Sequence, residues 1–234
     1  SARGWGRVAA LFEPGEDGRT RLVGSADQDL RLGLKVRGSS SSSFPKHSYG
    51  VEIWGPDTDE DHDVSLLGMP AESDWVLLSP LVFDRALMRN ALAYELSRDA
   101  GRYAPRTRFV ELFAAGDGDT LESQDYRGVY VLVERIKRGP ERVDIASLSP
   151  DDQDEPAITG GYLFKEDRPA SGESGFYAGT AGGAFTFQQP FIYVDPDEDS
   201  ITGPQAAYLS GELNELAGAL NASDFTNPQT GRHY

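Results

Sequence analysis

Cysteine is absent from this 234-residue chain, which excludes disulfides and cysteine-based zinc sites. The three histidines, His47, His62 and His233, lack the spacing of metal ligands, so a zinc site is not expected. The longest nearly continuous apolar stretch, around residues 75–83, is too short to span a bilayer. No Walker A loop, G-x-G-x-x-G motif or G-x-S-x-G elbow occurs.

Positive charge is also in short supply. The chain has 22 Lys and Arg against 38 Asp and Glu, a net charge of −16. A surface this acidic repels phosphate backbones and anionic lipids, so we expect no binding to nucleic acid or to a membrane surface. The short apolar stretch noted above predicts no membrane insertion. The same charge favours solubility and, at low salt, attraction of a basic protein segment.

The hydrophobic pattern predicts strands first, with one helix between the second and third. Alternation of apolar and polar residues indicates strands, and apolar residues at helical spacing indicate helices. We predict strands at 29–37, 48–54, 108–114, 126–135 and 161–165, one or two within 184–194, and helices at 84–99 and 204–220. The pair 108–114 and 126–135 is expected to be antiparallel, and the fold class is α+β on an antiparallel sheet.

Two acidic segments alternate carboxylates in a way that resembles a calcium loop. The segment 57–63 lacks glycine at loop position 6 and has Gly68 at position 12, where a calcium loop has glutamate. We therefore favour a solvated loop over a calcium site. The segment 195–199 contains Pro196 and is interpreted as an exposed turn.

A run of small residues at 38–43, between two predicted strands, is followed by Lys46. Such a turn exposes backbone N–H groups and hydroxyls, which suit phosphate oxygens, and Lys46 could place a charge over them. On spacing alone a plain serine linker is the more common explanation. Both interpretations remain open at this stage.

The order of charged residues is that of a protein-kinase nucleotide lobe. Lys46 enters a strand, Glu95 lies on the following helix, and Glu134 ends the next strand pair. In kinases the glutamate positions the lysine, which binds the α- and β-phosphates of ATP. The alternative is an unremarkable glutamate on an exposed helix face.

Several blocks together resemble the spore-coat CotH kinase family. They run in family order over about residues 29–220 and comprise RGSSSSSFPKHSY (37–49), DVSLLGMPAESDWVL (63–77), LMRNALAYEL (87–96), YRGVY (126–130), ERIK (134–137) and GGYLFK (160–165). The resemblance implies an atypical kinase fold that uses ATP and Mg or Mn to phosphorylate serine or threonine in proteins. It also implies a bacterial secreted or cell-surface location, although the composition fits the cytoplasm nearly as well.

The resemblance assigns roles to named positions. Arg37, Ser39 and Ser40 would form the phosphate-facing turn, Lys46 would bind phosphate, and Glu95 would be its partner on the helix. Residues from Glu134 to Lys137 would form the hinge that meets adenine. Arg89 and Lys165 are further matching positions, either of which could replace Glu95 or Lys46 in this scheme.

The match has departures. His47 and Gly50 stand where the family has basic residues beside the lysine, and the insert at 117–124 is longer than the usual hairpin. We expect the nucleotide lobe at 1–138 and the start of a mostly helical second lobe at 139–234. The catalytic aspartate and metal-binding segment is expected after Tyr234, so this fragment by itself would be inactive.

Other functions fit the same residues. A kinase-like domain can serve as a non-catalytic scaffold or binding domain of a coat or surface protein. Some kinase-like folds instead transfer AMP or glutamate. For a phosphorylating enzyme, the acidic charge suggests a basic, serine-rich protein segment as substrate.

Overall fold

The computed structural model describes residues 4–9, 12–14, 20–22, 30–38, 40–79, 83–114, 122–179 and 187–234. Ser39, most of the insert at 117–124 and the start of the predicted 184–194 segment lie outside these ranges. The chain divides into two compact units, Ser1–Ile136 and Lys137–Tyr234. Each unit is described by itself below.

The first unit is built on a six-stranded antiparallel sheet with strand order β1-β4-β5-β6-β8-β7. A separate two-stranded sheet pairs β2 with β3. The elements are β1 (Gly4–Ala9), β2 (Phe12–Pro14), β3 (Thr20–Leu22), β4 (Leu30–Arg37), β5 (Ser48–Trp54), β6 (Asp74–Leu78), α1 (Arg89–Asp99), β7 (Thr107–Phe113) and β8 (Tyr126–Glu134). The predicted antiparallel pair is the β7–β8 pair.

Strand β6 was not among the predicted strands, although it lies in the centre of the sheet between β5 and β8. Its consecutive residues Trp75, Val76 and Leu77 are all buried, because both faces of the sheet are covered there. A strand buried on both faces shows a continuous apolar run and no alternation. This segment was noted in the sequence only as an apolar stretch.

The two faces of the sheet carry separate apolar clusters. On one face Trp75 and Leu77 pack with Tyr130 and Leu132, under Met69 from the β5–β6 connection. On the other face the cluster consists of Val76, Val131 and Val133 with Leu87, and the partly buried Tyr94 of α1 packs against it. The alternation of side chains along β6 and β8 therefore assigns neighbouring residues to opposite faces.

Helix α1 begins at Arg89, five residues later than the predicted start at residue 84. Leu87 has a positive φ of 59°, which an L-residue in a helix does not adopt. The buried carboxylate of Asp84 accepts hydrogen bonds from the N–H groups of Ala86 (3.2 Å) and Arg89 (2.6 Å). Asp84 thus satisfies the N–H of the first helical residue from outside the helix.

The second unit contains a three-stranded antiparallel sheet and one long helix. The strands β9 (Leu163–Glu166), β10 (Gly175–Phe176) and β11 (Phe191–Asp195) are ordered β10-β11-β9, and α2 spans Gly203–Leu220. Thr202 and Gln205 form a reciprocal capping box at the start of α2, as their spacing favours. Leu209 and Leu213 of α2 pack against Phe191.

Together the two units confirm the predicted α+β class with antiparallel sheets. Among the described residues, no helix combines the length and the apolar character that a bilayer span requires.

Candidate functional site

Lys46 lies in the β4–β5 connection, just before β5 begins at Ser48. Residues Ser40–Ser43 form a 3₁₀ turn, and the N–H of Phe44 donates to the carbonyl of Ser41 at 3.2 Å. The ammonium group of Lys46 then reaches β8, where Nζ donates to the carbonyl oxygen of Val129 at 2.5 Å. A lysine 83 positions away in sequence is thereby bound to β8, the strand next to the edge strand β7.

The Lys46 side chain has an aromatic neighbour and a space made by glycine. Nζ lies 4.3 Å from the centroid of the Tyr130 ring, within the range of a cation–π interaction. A Cβ on Gly128 would lie 3.2 Å from Nζ, and the φ of Gly128 is +90°. Gly128 therefore provides both the backbone conformation and the room that the ammonium group occupies.

Lys46 makes no ion pair with a carboxylate of the residues that the structure describes. Burial lowers its pKa below the ordinary value of 10.5, because removal of water disfavours the charged form. A carbonyl dipole and an aromatic ring compensate a full positive charge only in part.

Aromatic side chains line the same region. The rings of Tyr49 and Tyr130 lie 6.2 Å apart, and His47 meets Tyr49 edge-on at 6.3 Å between centroids. Burial first, and then the neighbouring Tyr49, raise the pKa of Tyr130 to about 12, so its hydroxyl is neutral at physiological pH. The Lys46 ammonium group thus lies against an aromatic pair, and a second cation, Arg127, is near enough to oppose part of the rise in the pKa of Tyr130.

Glu95 does not meet Lys46 in this structure. It pairs with Arg98 of the same helix, and the Arg98 guanidinium also donates to the carbonyl of Pro105. Helix α1 packs through Tyr94 on the face of the sheet that carries Val131, whereas Tyr130, beside Lys46, belongs to the other face. The expected lysine–glutamate pair is therefore absent here, because the two residues approach opposite faces.

Glu134 is fully buried at the end of β8 and is paired with Arg106. Its Oε1 lies 2.7 Å from Arg106 Nη1, and its Oε2 accepts a hydrogen bond from the Arg106 backbone N–H at 2.8 Å. Glu134 is five residues from Val129, which is roughly 16 Å along an extended strand. Both carboxylate oxygens are thus engaged inside the protein, away from Lys46. A role for Glu134 in contacting adenine stays a prediction.

The remaining predicted residues fall into two groups. Arg37 ends β4 opposite Ser48, and Ser40 opens the turn that follows, so both share the β4–β5 connection with Lys46. Lys137 and Lys165 belong to the second unit. Lys165 forms an ion pair with Glu173 at 2.6 Å. A backbone N–H from Ala170 and then this lysine lower the pKa of Glu173.

Sequence reasoning missed Arg106, which compensates the buried charge of Glu134. The two residues are 28 positions apart, and no local spacing connects them. The only available signal was the glutamate itself, since a charged residue ending an apolar strand requires a partner when buried.

The acidic loop at 57–63 is held by an arginine. Arg31 Nη2 lies 2.8 Å from Asp59, and Arg31 Nη1 donates to the carbonyls of Gly55 (3.2 Å) and Thr58 (2.8 Å). In the second acidic segment, Asp197 accepts a hydrogen bond from the N–H of Ser200 at 3.0 Å. Over the ranges that the structure describes, no three His, Asp or Glu residues are grouped so as to bind a metal ion.

The fold and site define an α+β protein in which a partly buried lysine of the β4–β5 connection contacts strand β8 of an antiparallel sheet. The family model of the CotH kinase protein matches residues 34–181, and the chain belongs to this family. The match includes Lys46, the β4–β5 connection and α1. Membership indicates a kinase-type function. Searches of curated proteins and of solved structures each gave no match.

Proposed function

We propose that this chain is part of an ATP-dependent protein serine/threonine kinase and that the phosphates of ATP bind at Lys46. The observation that carries the proposal is the state of the Lys46 ammonium group. It is partly buried, it donates a hydrogen bond to the Val129 carbonyl, and it makes no ion pair with a described carboxylate. Arg37 and Ser40 lie on the same connection and extend the phosphate site.

The physical argument concerns the free energy of the charged lysine. Partial burial removes water from the ammonium group, and neither a carbonyl nor a tyrosine ring replaces the solvation completely. A phosphate oxygen at this position forms a charge-assisted hydrogen bond, which is stronger than a bond between neutral groups. Binding of a polyphosphate therefore relieves an unfavourable feature of the free protein.

In the proposed reaction a hydroxyl oxygen of the acceptor protein forms a bond to the terminal phosphorus of ATP. The bond from that phosphorus to the ADP oxygen breaks, and the hydroxyl proton is released. Lys46 acts by holding and neutralising phosphate oxygens, which is the main contribution of protein groups to phosphoryl transfer. The described residues do not form a metal site by themselves, so we assign Mg or Mn to none of them.

The first experiment is a calorimetric titration of ATP with magnesium into the chain. We expect micromolar binding that weakens at least tenfold in Lys46→Ala. The matched control is Lys35→Ala, because Lys35 is an exposed lysine on the neighbouring strand β4. Equal affinities for Lys46→Ala and the unchanged chain would contradict the assignment of Lys46.

A non-catalytic scaffold is the second candidate, and one observation favours it. Glu95 pairs with Arg98 and not with Lys46, whereas an active kinase lobe requires the lysine–glutamate pair. Incubation with ATP and a basic, serine-rich acceptor peptide, using a chain that includes the expected catalytic aspartate segment, separates the possibilities. A mass increase of one phosphate supports the kinase, an increase of one AMP supports adenylyl transfer, and an unchanged mass despite ATP binding supports the scaffold.

The acidic charge suggests the class of acceptor. A net charge of −16 attracts lysine- and arginine-rich segments, and such attraction weakens as salt screens it. We therefore propose a basic, serine-rich protein segment as substrate. An affinity for the peptide that does not change between low and high salt would argue against this choice. For the whole protein we propose a secreted or cell-surface location.

A further inference from the structure

The β7–β8 pair contains a β-bulge at Arg127. Leu112 of β7 pairs with Gly128 of β8. The next residue of β7, Phe113, pairs with Tyr126. Arg127 is therefore the extra residue of the bulge and has no partner on β7. Gly128 beside it has a φ of +90°, a left-handed conformation that glycine adopts readily.

The bulge brings the Arg127 guanidinium near Tyr130. In a regular strand, Arg127 would share the face of Val129, which is opposite to the face of Tyr130. A bulge interrupts this alternation and re-aims a side chain. Burial and Tyr49 raise the pKa of Tyr130 to about 12, and the Arg127 guanidinium opposes part of that rise. The guanidinium therefore lies within electrostatic range of the phenol.

Two cations thus share the region around Tyr130. The Lys46 ammonium group lies 4.3 Å from the Tyr130 ring centroid and donates to the carbonyl of Val129. The exposed Arg127 donates through Nη2 to the carbonyl oxygen of Ala114 at 2.9 Å. Over the ranges that the structure describes, neither cation forms an ion pair with a carboxylate. Like charges held in one region repel each other, and a bound anion removes this cost.

The acidic side chains of the same strand pair are bonded to other groups. Glu111 accepts a hydrogen bond from the Tyr126 hydroxyl at 2.9 Å. Asp125 accepts one from the backbone N–H of Glu122 at 2.9 Å. An arginine has five N–H donors, and the bond to a single carbonyl uses one of them. The Arg127 guanidinium therefore keeps donors for a ligand.

The two cations are bonded to carbonyl groups at different heights along the strand pair. Lys46 donates to the carbonyl of Val129, which pairs with Glu111 of β7. Arg127 donates to the carbonyl of Ala114, three residues after Glu111. At about 3.3 Å per residue, the two carbonyls are roughly 10 Å apart along the strands. One phosphate group is too small to contact both cations at that spacing, whereas a chain of three phosphate groups can bridge it.

We propose that Arg127 is a second phosphate-binding residue, and that Lys46 and Arg127 bind the two ends of a triphosphate chain across Tyr130. The inference deepens the proposed function and rests on it, because it adds a residue and a chain length to the Lys46 site. A guanidinium can donate two parallel hydrogen bonds to phosphate oxygens, whereas an ammonium group acts as a point charge. The contribution of Arg127 should therefore grow with the number of phosphate groups in the ligand.

Calorimetric titration with pyrophosphate and with tripolyphosphate, without a metal ion, tests the two cations separately. Lys46→Ala should weaken the binding of both anions by roughly tenfold or more. Arg127→Ala should weaken tripolyphosphate by roughly tenfold but pyrophosphate by less than about twofold. The matched control is Arg108→Ala, which should change neither affinity. The exposed Arg108, at the start of β7, also donates to carbonyl groups, those of Leu67 and Thr107.

Circular dichroism melting verifies that each variant folds. If Arg127→Ala melts early, Arg127→Gln repeats the test, because glutamine keeps an N–H donor for the Ala114 carbonyl. A purely structural role of Arg127 in the bulge would weaken both anions equally, and that result overturns the proposal.

The outcomes also separate this inference from the proposed function. If Lys46→Ala loses binding but Arg127→Ala binds tripolyphosphate as tightly as Arg108→Ala does, the inference is wrong and the Lys46 site stands. If Lys46→Ala binds both anions as tightly as the unchanged chain, or if neither anion binds, the proposed phosphate site fails and this inference fails with it.

Discussion

Replacement of Gly128 by alanine should disturb the protein twice, once through the backbone and once through Lys46. Gly128 has a φ of +90°, and a Cβ there would lie 3.2 Å from Lys46 Nζ and 3.7 Å from Lys46 Cε. The first distance is shorter than an ordinary van der Waals contact. The ammonium group must therefore shift by a few tenths of an ångström or leave the Val129 carbonyl.

The magnitude follows from these two parts. An L-residue in the left-handed region costs about 1–2 kcal/mol. Loss of the hydrogen bond from Lys46 to Val129 adds up to about 1.5–3 kcal/mol if the lysine leaves entirely, and less if it only shifts. We therefore expect Gly128→Ala to lower the free energy of unfolding by about 2–4 kcal/mol and to weaken ATP binding in parallel.

Gly68→Ala is the matched control. Gly68 belongs to the same unit and has a φ of +72°, but no atom lies within 4 Å of the position of its Cβ. Gly68→Ala should therefore lower the free energy of unfolding through the backbone conformation alone, without displacing the Lys46 side chain. Urea unfolding measures the difference between the two variants, and mass spectrometry after amine acetylation measures the exposure of Lys46. The chain has only four lysines, Lys35, Lys46, Lys137 and Lys165, so the other three serve as internal standards.

The reasoning is refuted if the two glycine variants lose equal stability and the acetylation rate of Lys46 is the same in both. That result would mean that Lys46 does not occupy the space above Gly128. Faster acetylation of Lys46 in Gly128→Ala only, without a change at the other three lysines, is the expected result.

Two further predictions concern the charged groups. ATP affinity should fall as pH rises through the lowered pKa of Lys46, because only the protonated amine binds phosphate; the loss should therefore begin at a lower pH than for a lysine of pKa 10.5. Calorimetry against pH tests this, and Lys46→Arg should remove the decline because its guanidinium stays charged. Arg106→Ala removes the guanidinium partner of the buried Glu134 carboxylate and should cost about 1–3 kcal/mol in urea unfolding. The exposed Arg102→Ala should change stability by less than about 0.5 kcal/mol, and equal losses would show that the Glu134 pair is unimportant.

The sequence by itself determined the elements that local patterns specify. Apolar and polar residues alternate along β4 and β5. Successive side chains of a strand point to opposite faces, so this alternation places the apolar residues on one face and predicts a strand. α2 starts one residue before the predicted position, because Thr202, Pro204 and Gln205 are start signals that act within one turn. The family resemblance was also carried by contiguous motifs, and the family match covers them from residue 34 to residue 181.

The tertiary structure decided the features that depend on contacts between distant residues. β6 is central because both of its faces are covered, and local alternation cannot reveal burial on two sides. Helix α1 begins at Arg89 because Leu87 has a positive φ and because the Asp84 carboxylate accepts a hydrogen bond from the Arg89 N–H. The apolar spacing alone favoured an earlier start.

The same division holds for the site. Lys46 was chosen from its place in the chain order, but its partners, the Val129 carbonyl and the Tyr130 ring, are set by the position of β8 in the sheet. Glu95 was expected beside Lys46, yet the helix and the lysine approach opposite faces. The sequence specifies which charged side chains the chain can bring to the site. Only the folded sheet determines which of them meet, because strand pairing and side-chain alternation fix the face on which each group lies.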